Sequence, residues 1–68
     1  MKHISGKRII ELALERSWVL VSQRGSHAKL RNPITGEILI VPIHANRDLA
    51  TGLQKALMKT LGVEEAEL

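Results

Sequence analysis

The residues best suited to chemistry lie in one short stretch, residues 24–31, which contains one histidine and three permanently cationic side chains. Gly25 predicts a tight turn at its start, because glycine supplies the positive φ that a two-residue reversal needs. The residues after the turn predict a strand, in which successive side chains point to opposite faces. His27, Lys29 and Arg31 therefore share one face, and a titratable imidazole beside two cations suits a phosphodiester ligand.

Histidine both accepts and donates protons near neutral pH, since its unperturbed pKa is about 6.5. RNA carries its own nucleophile, the 2′-hydroxyl, so its cleavage needs only proton transfer and stabilisation of negative charge at phosphorus, without metal or cofactor. His27 is the candidate general base or general acid. Arg24, Lys29 and Arg31 are the candidate charge-stabilising groups. Ser26 could orient the imidazole or cap the turn, and we favour the cap.

Two further histidines have less defined positions. His3 lies in a short N-terminal lead-in, and no role is expected for it. His44 follows Pro42 at the end of an apolar segment, where it could be a second proton-transfer group, an RNA contact or a loop residue. No Cys, Asp or Glu stands at metal-ligand spacing beside His27 and His44, so no metal site is predicted.

The length of 68 residues leaves room for one domain, residues 1–68, with a modest core. Cysteine is absent, which excludes disulfides and thiolate metal sites and is compatible with a reducing, cytoplasmic location. The apolar runs are much shorter than the roughly 20 residues of a membrane span, and the N-terminus lacks the apolar segment of a signal peptide. We therefore expect a soluble protein without a membrane partner.

The net charge of +3 is unevenly placed. Residues 1–62 hold all ten basic residues against four acidic ones, a net charge of +6. Residues 63–68 hold three glutamates and are expected to form a frayed acidic tail. A basic body favours a polyanionic partner such as nucleic acid, although ordinary solubilising charge accounts equally well for the composition.

The hydrophobic pattern predicts two helices and three strands. Ser5 is a suitable N-cap for the first helix, and Gly62 is suited to end the second. An apolar stripe on the second helix is predicted from Leu49, Leu53, Ala56, Leu57 and Leu61. The chain therefore reads as an α+β fold with a three-stranded antiparallel sheet, both helices on one face and the other face open. The predicted segments are helix 5–16, strands 18–23, 26–31 and 37–42, and helix 50–61.

Two cations, Lys7 and Arg8, lie in the first turn of the first predicted helix. Positive charge is slightly unfavourable there, because it opposes the positive end of the helix dipole. An anionic ligand near Lys7 would explain this placement. Exposed cations tolerated at a small energetic cost explain it as well.

Five short segments, taken together and in this order, resemble the HicA-like (YcfA-type) mRNA interferase toxins. The resemblance spans residues 4–63, and its Gly-Ser-His and Val-Pro-x-His elements are specific when they occur at this spacing. The segments are Ser-Gly-Lys at 5–7, Trp-Val-Leu-Val at 18–21, Gln-Arg-Gly-Ser-His at 23–27, Ile-Val-Pro-Ile-His at 40–44 and Thr-Gly-Leu at 51–53.

The resemblance implies a double-stranded-RNA-binding-domain-like αβββα fold and cleavage of mRNA with His27. It also implies a HicB-type antitoxin as protein partner. The expected RNA-binding residues are Lys7, Arg24, Gly25, Ser26, Lys29, Arg31 and His44, and no cofactor is expected.

One departure from the family is that Ser17-Trp18 stands where its members usually have Gly-Phe. Trp18 is the only Phe, Tyr or Trp in the chain, so base stacking can contribute little and phosphate contacts should dominate binding. Two alternatives to a nuclease stay open. One is a non-catalytic RNA-binding module that uses the basic face around His27. The other is an interaction protein that docks a partner on an exposed strand or helix.

Overall fold

The computed structural model describes residues 1–68 and has the predicted order of elements. The strands form one antiparallel sheet in the order β1-β2-β3. This confirms the α+β class and an αβββα order consistent with the fold of double-stranded-RNA-binding domains. The elements are α1 (Gly6–Glu15), β1 (Val19–Arg24), β2 (His27–Arg31), β3 (Ile38–Pro42), α2 (Thr51–Leu61) and a 3₁₀ helix (Glu65–Glu67).

Both helices cover the same face of the sheet, as predicted. The sheet contributes Ala28, Leu30, Leu39 and Val41 to a single core of 14 buried residues that also includes the apolar sides of α1 and α2. The alternate residues of β2 and β3 point away from this core. The second face of the sheet is therefore open.

Helix α1 begins where the sequence predicts, because the Ser5 side chain accepts a hydrogen bond from the Arg8 amide at 3.2 Å. Gly6, the first helical residue, is buried against the end of β3. A Cβ at Gly6 would clash with the Pro42 carbonyl oxygen and lie 3.2 Å from Val41 Cγ1. Only glycine allows this approach, which fixes the start of α1 against the last residue of β3.

Both helices end in the same hydrogen-bonding pattern. The left-handed residue after α2 is Gly62 (φ 73°), as predicted, and the next amide, that of Val63, donates to Met58 at 2.9 Å. After α1 the left-handed residue is Ser17 (φ 67°), and the Trp18 amide donates to the carbonyl five residues earlier at 3.0 Å. Each end is a Schellman motif. Ser17 therefore occupies a position that favours glycine.

The buried face of α2 differs from the predicted stripe. Leu49, Leu57 and Leu61 are buried as expected, but Leu53 and Ala56 are exposed. Gln54 is fully buried in this face instead. Its Oε1 accepts from the Ile4 amide at 3.1 Å and its Nε2 donates to the Lys2 carbonyl at 2.8 Å, so the buried amide has partners. A hydropathy pattern could not identify Gln54, because its partners lie about 50 residues away in the sequence.

The C-terminal segment, expected to fray, is folded onto the body. Val63 is buried, and Glu64 and Glu67 form a reciprocal capping box around the 3₁₀ helix. Glu67 also pairs with Arg16, and the N-terminal ammonium lies 3.7 Å from Glu65. The hydrogen bond from the Glu64 amide, followed by that from Arg16, lowers the pKa of Glu67 below its ordinary value. The acidic tail is held because basic groups of the body face it.

Candidate active site

The central strand β2 carries the candidate residues on the open face of the sheet. Ala28 and Leu30 are fully buried, while His27, Lys29 and Arg31 are exposed. The alternation predicted from the sequence therefore sorts these residues as expected. The reason is the pleat of the strand, which sends neighbouring side chains to opposite faces.

A cavity of about 410 Å³ opens around His27 on this face. The strand register explains its composition, because residues paired across antiparallel strands share a face. Arg24 of β1 pairs with His27, while Ser22 of β1 and Ile40 of β3 both pair with Lys29. The residues that line the cavity are Ser22, Arg24, His27, Lys29 and Ile40.

Sequence reasoning missed two of these residues, Ser22 and Ile40. Ile40 is half exposed (48%), since its strand contributes only its alternate residues to the core. Neither residue is chemically distinctive in the sequence. Both residues pair with Lys29, so a correct prediction of the strand register would have identified them.

The turn before β2 is formed by Gly25 and Ser26. Gly25 has φ 55°, and no other atom would lie within 4 Å of a Cβ at this position, so a large ligand can approach its backbone. The Ser26 hydroxyl makes no hydrogen bond to the protein, so it neither caps the turn nor orients His27. The Ser26 carbonyl instead accepts from the Ile43 amide at 2.5 Å.

The backbone hydrogen bond between Ile43 and Ser26 extends the β2–β3 ladder beyond the pair His27–Pro42. The next residue, His44, consequently reaches the same end of the open face as His27. The two imidazole rings lie with their centroids 6.5 Å apart and their planes at 81°. Both side chains are exposed, and neither is hydrogen-bonded or ion-paired within the protein. The third histidine, His3, is exposed in the lead-in before α1.

Among the candidates only Arg24, His27 and Lys29 line the cavity, so His44, Gly25 and Ser26 lie beside it rather than in its wall. The remaining two candidates, Arg31 and Lys7, do not line it either. Arg31 is four residues from His27 along β2, a separation of about 13 Å, and its guanidinium extends towards Gly36. Lys7 is exposed in the first turn of α1, beside Gly6 and therefore at the same end of the sheet as Pro42 and His27. The sheet thus brings Arg24 and Lys29 to His27, and keeps Arg31 and Lys7 at greater distance.

The electrostatic character of the cavity is basic. Its lining includes Arg24 and Lys29 and no acidic side chain. Neither cation takes part in an ion pair, since the salt bridges of the protein involve other residues. No group of three or more His, Cys, Asp or Glu side chains with metal-binding geometry is present. Unpaired cations next to an imidazole form a site that can bind a phosphate group and transfer a proton.

Comparison with known proteins identifies the family. The model of a family described as the HicA toxin of bacterial toxin–antitoxin systems matches residues 6–63 of the 68. The chain belongs to the HicA toxin family. The role of this HicA toxin is therefore that of the toxin in a toxin–antitoxin system. A search of curated proteins found no match.

Two further features of this HicA toxin bear on its ligands. Trp18 is buried (5% exposed), so no Phe, Tyr or Trp side chain is free to stack on a base. Neither α1 nor α2 has the length and apolar character needed to cross a membrane.

Proposed function

We propose that this HicA toxin is a metal-independent endoribonuclease that cleaves mRNA with His27. The observation that carries the proposal is the cavity in which His27 stands between Arg24 and Lys29. The cations neutralise a phosphodiester, while the imidazole exchanges a proton with the RNA. Since the 2′-hydroxyl of RNA is the nucleophile, the protein supplies neither a covalent nucleophile nor a cofactor.

The proposed binding surface is centred on the cavity and extends beyond it. Arg24, Lys29 and the open backbone at Gly25 contact the reacting phosphate. Arg31 lies about 13 Å away, so it contacts a neighbouring phosphate of an extended strand. Lys7 contacts the RNA on the opposite side of the cavity from Arg31, at the end of the sheet where α1 begins. With Trp18 buried, phosphate contacts supply most of the affinity and the sequence preference is weak.

The proposed protein partner is a HicB-type antitoxin. The family's toxin–antitoxin pairing supports a dedicated inhibitor. The open face offers such an inhibitor an apolar contact surface beside the cavity, because Val19, Ile38 and Ile40 are each 44–50% exposed. A protein bound there would cover His27 and exclude RNA.

The test is cleavage of an end-labelled mRNA in the presence of EDTA. The wild-type protein should leave 2′,3′-cyclic phosphate and 5′-hydroxyl ends. The His27→Ala variant should cut about 10²–10⁴-fold more slowly while binding RNA nearly as well. His3→Ala is the matched control, since it removes an exposed histidine outside the site and should cut at the wild-type rate.

The same experiment decides between the nuclease and a non-catalytic RNA-binding module. In a binding module His27 only donates a hydrogen bond to phosphate. RNA that is bound but left intact by both the wild type and His27→Ala would refute the nuclease. Cleavage that requires a divalent metal would refute the proposed mechanism.

A further inference from the structure

The backbone holds His44 in a defined position beside His27. The Ile43 amide bonds to the Ser26 carbonyl, which aligns the residues immediately before the two histidines. On the other side of His44, Ala45 adopts a left-handed conformation (φ 51°) that is unfavourable for a residue with a side chain. The Arg47 amide closes this turn by donating to the His44 carbonyl at 2.9 Å. Strained residues persist where the surrounding structure determines them, and they cluster at functional sites.

The end of β3 that leads to His44 is also held by contacts with the start of α1 and the residues before it. Gly6 of α1 packs directly on the Pro42 carbonyl. The loop after His44 is joined to the start of α1 by a bridge between Ser5 and Asp48. Near the end of this loop, the Leu49 amide donates to the Ile4 carbonyl at 2.9 Å. The backbone on both sides of His44 is therefore held in place by contacts with residues 4–6.

The separation of the two rings suits a group that binds between them. The centroid distance of 6.5 Å leaves the rings too far apart to hydrogen-bond to each other. A group placed between the rings can hydrogen-bond to a nitrogen at the edge of each ring, with about 2.6–3.2 Å for each bond. The cations Arg24 and Lys29 lie on the same face, and none of the acidic residues lines the cavity. The charged residues on the surrounding elements are Arg24 on β1, Lys29 on β2, Lys7 and Arg8 on α1, and Arg47 and Asp48 on the loop.

We propose that His44 is a second catalytic residue, which transfers the proton that His27 does not. This inference rests on the proposed endoribonuclease function. One imidazole takes the proton of the 2′-hydroxyl as its oxygen forms a bond to phosphorus. The other, as imidazolium, gives a proton to the 5′-oxygen as the bond between phosphorus and that oxygen breaks. The products are a 2′,3′-cyclic phosphate and a 5′-hydroxyl, and the two histidines have exchanged protonation states.

The pair makes cleavage depend on pH in a bell-shaped manner, because one histidine must be neutral while the other is protonated. A variant that keeps only one of the two should lose one limb of the bell. A residue that only contacts RNA would lower affinity and leave both limbs in place.

The experiment compares the wild type with His44→Ala, His44→Lys and the control His3→Ala. Lysine keeps a positive charge for a phosphate contact but has an unperturbed pKa of about 10.4, so it exchanges protons poorly near neutrality. We expect both His44 variants to lose about 10²–10⁴-fold in kcat with little change in KM, and to lose one limb of the pH profile. His44 is exposed, so thermal unfolding of the variants should match that of the wild type.

A second substrate assigns the proton donor. When sulfur replaces the bridging 5′-oxygen, the leaving thiolate needs no proton. On this substrate, the variant that lacks the proton donor, either His27→Ala or His44→Ala, should regain a cleavage rate near that of the wild type. The other variant should still cleave slowly. Recovery of neither variant would overturn the inference.

The remaining outcomes separate this inference from the function on which it rests. Activity of His44→Ala within tenfold of wild type, a change in KM alone, or full rescue by His44→Lys would overturn the role of His44 and leave the nuclease intact. If the wild-type protein does not cut RNA in EDTA, both proposals fail.

Discussion

Replacing Ser17 by glycine should stabilise the protein. Ser17 is the left-handed residue that ends α1, with φ 67°, and Gly62 (φ 73°) has the same place after α2. A residue with a Cβ is disfavoured in this conformation by roughly 1–2 kcal/mol. Glycine removes that strain but adds about 0.5–1 kcal/mol of chain entropy to the unfolded state. The Ser17 side chain is exposed and makes no hydrogen bond, so nothing else is lost.

The middle values of these two ranges give an expected net gain for Ser17→Gly of about 0.75 kcal/mol in the free energy of unfolding. In a domain of this size that corresponds to a rise in Tm of roughly 3–6 °C. Urea and thermal unfolding followed by circular dichroism measure it. Fluorescence of the buried Trp18 provides a second signal, since it is the only tryptophan.

The matched control is Gly62→Ser, which introduces at the end of α2 the residue found after α1. It should destabilise the protein by a similar amount, and the double variant should lie close to the wild type, because the two sites terminate different helices. A Ser17→Gly variant that is neutral or less stable, while Gly62→Ser is destabilised, would refute the assignment of strain to Ser17.

Substitutions at Gln54, Glu67 and Lys29 test the buried and charged contacts of the protein. Gln54→Leu leaves the Ile4 amide and the Lys2 carbonyl without their hydrogen-bond partner, so it should lower the free energy of unfolding by about 1–3 kcal/mol in urea. A variant as stable as the wild type would contradict this role of Gln54. Because Glu67 has a lowered pKa, its stabilisation is present above its ordinary value of 4.5 and is lost as pH falls through the folded-state value. The wild type should therefore be more stable than Glu67→Gln at neutral pH, and the difference in stability should vanish in acid. Glu15→Gln is the control, because it removes no ion pair, and its stability relative to the wild type should not show this dependence on pH. Lys29→Gln should reduce the slope of log affinity for single-stranded RNA against log salt by about 0.7, whereas Lys59→Gln on α2 should leave it unchanged, and equal slopes for both would contradict the proposed interface.

Local patterns accounted for most of the fold. The Ser5 cap, the Gly62 end and the alternation along β2 are properties of neighbouring residues, and the structure confirms them. The predicted bounds of the second helix are confirmed, but its predicted apolar stripe is only partly correct, because Leu53 and Ala56 are exposed. Leu53 points outward because Gln54 is held inside by backbone partners far away in the sequence, and a hydropathy pattern contains no such information.

The conformation of the acidic tail likewise depends on contacts that a local sequence pattern does not contain. Its composition alone indicated a solvated, frayed segment. In the structure Glu67 pairs with Arg16 and Glu65 with the N-terminal ammonium, and only the folded chain brings these groups together.

For the candidate site, the sequence by itself determined that His27 and Lys29 face away from the core, since strand periodicity is local. It also supplied the cations and the glycine turn. Only the tertiary structure decided that Arg24, Ser22 and Ile40 surround His27, and that His44 lies 6.5 Å from it. Those neighbours follow from strand register and from the packing of α1 on Pro42, and both are set by contacts between segments distant in the chain.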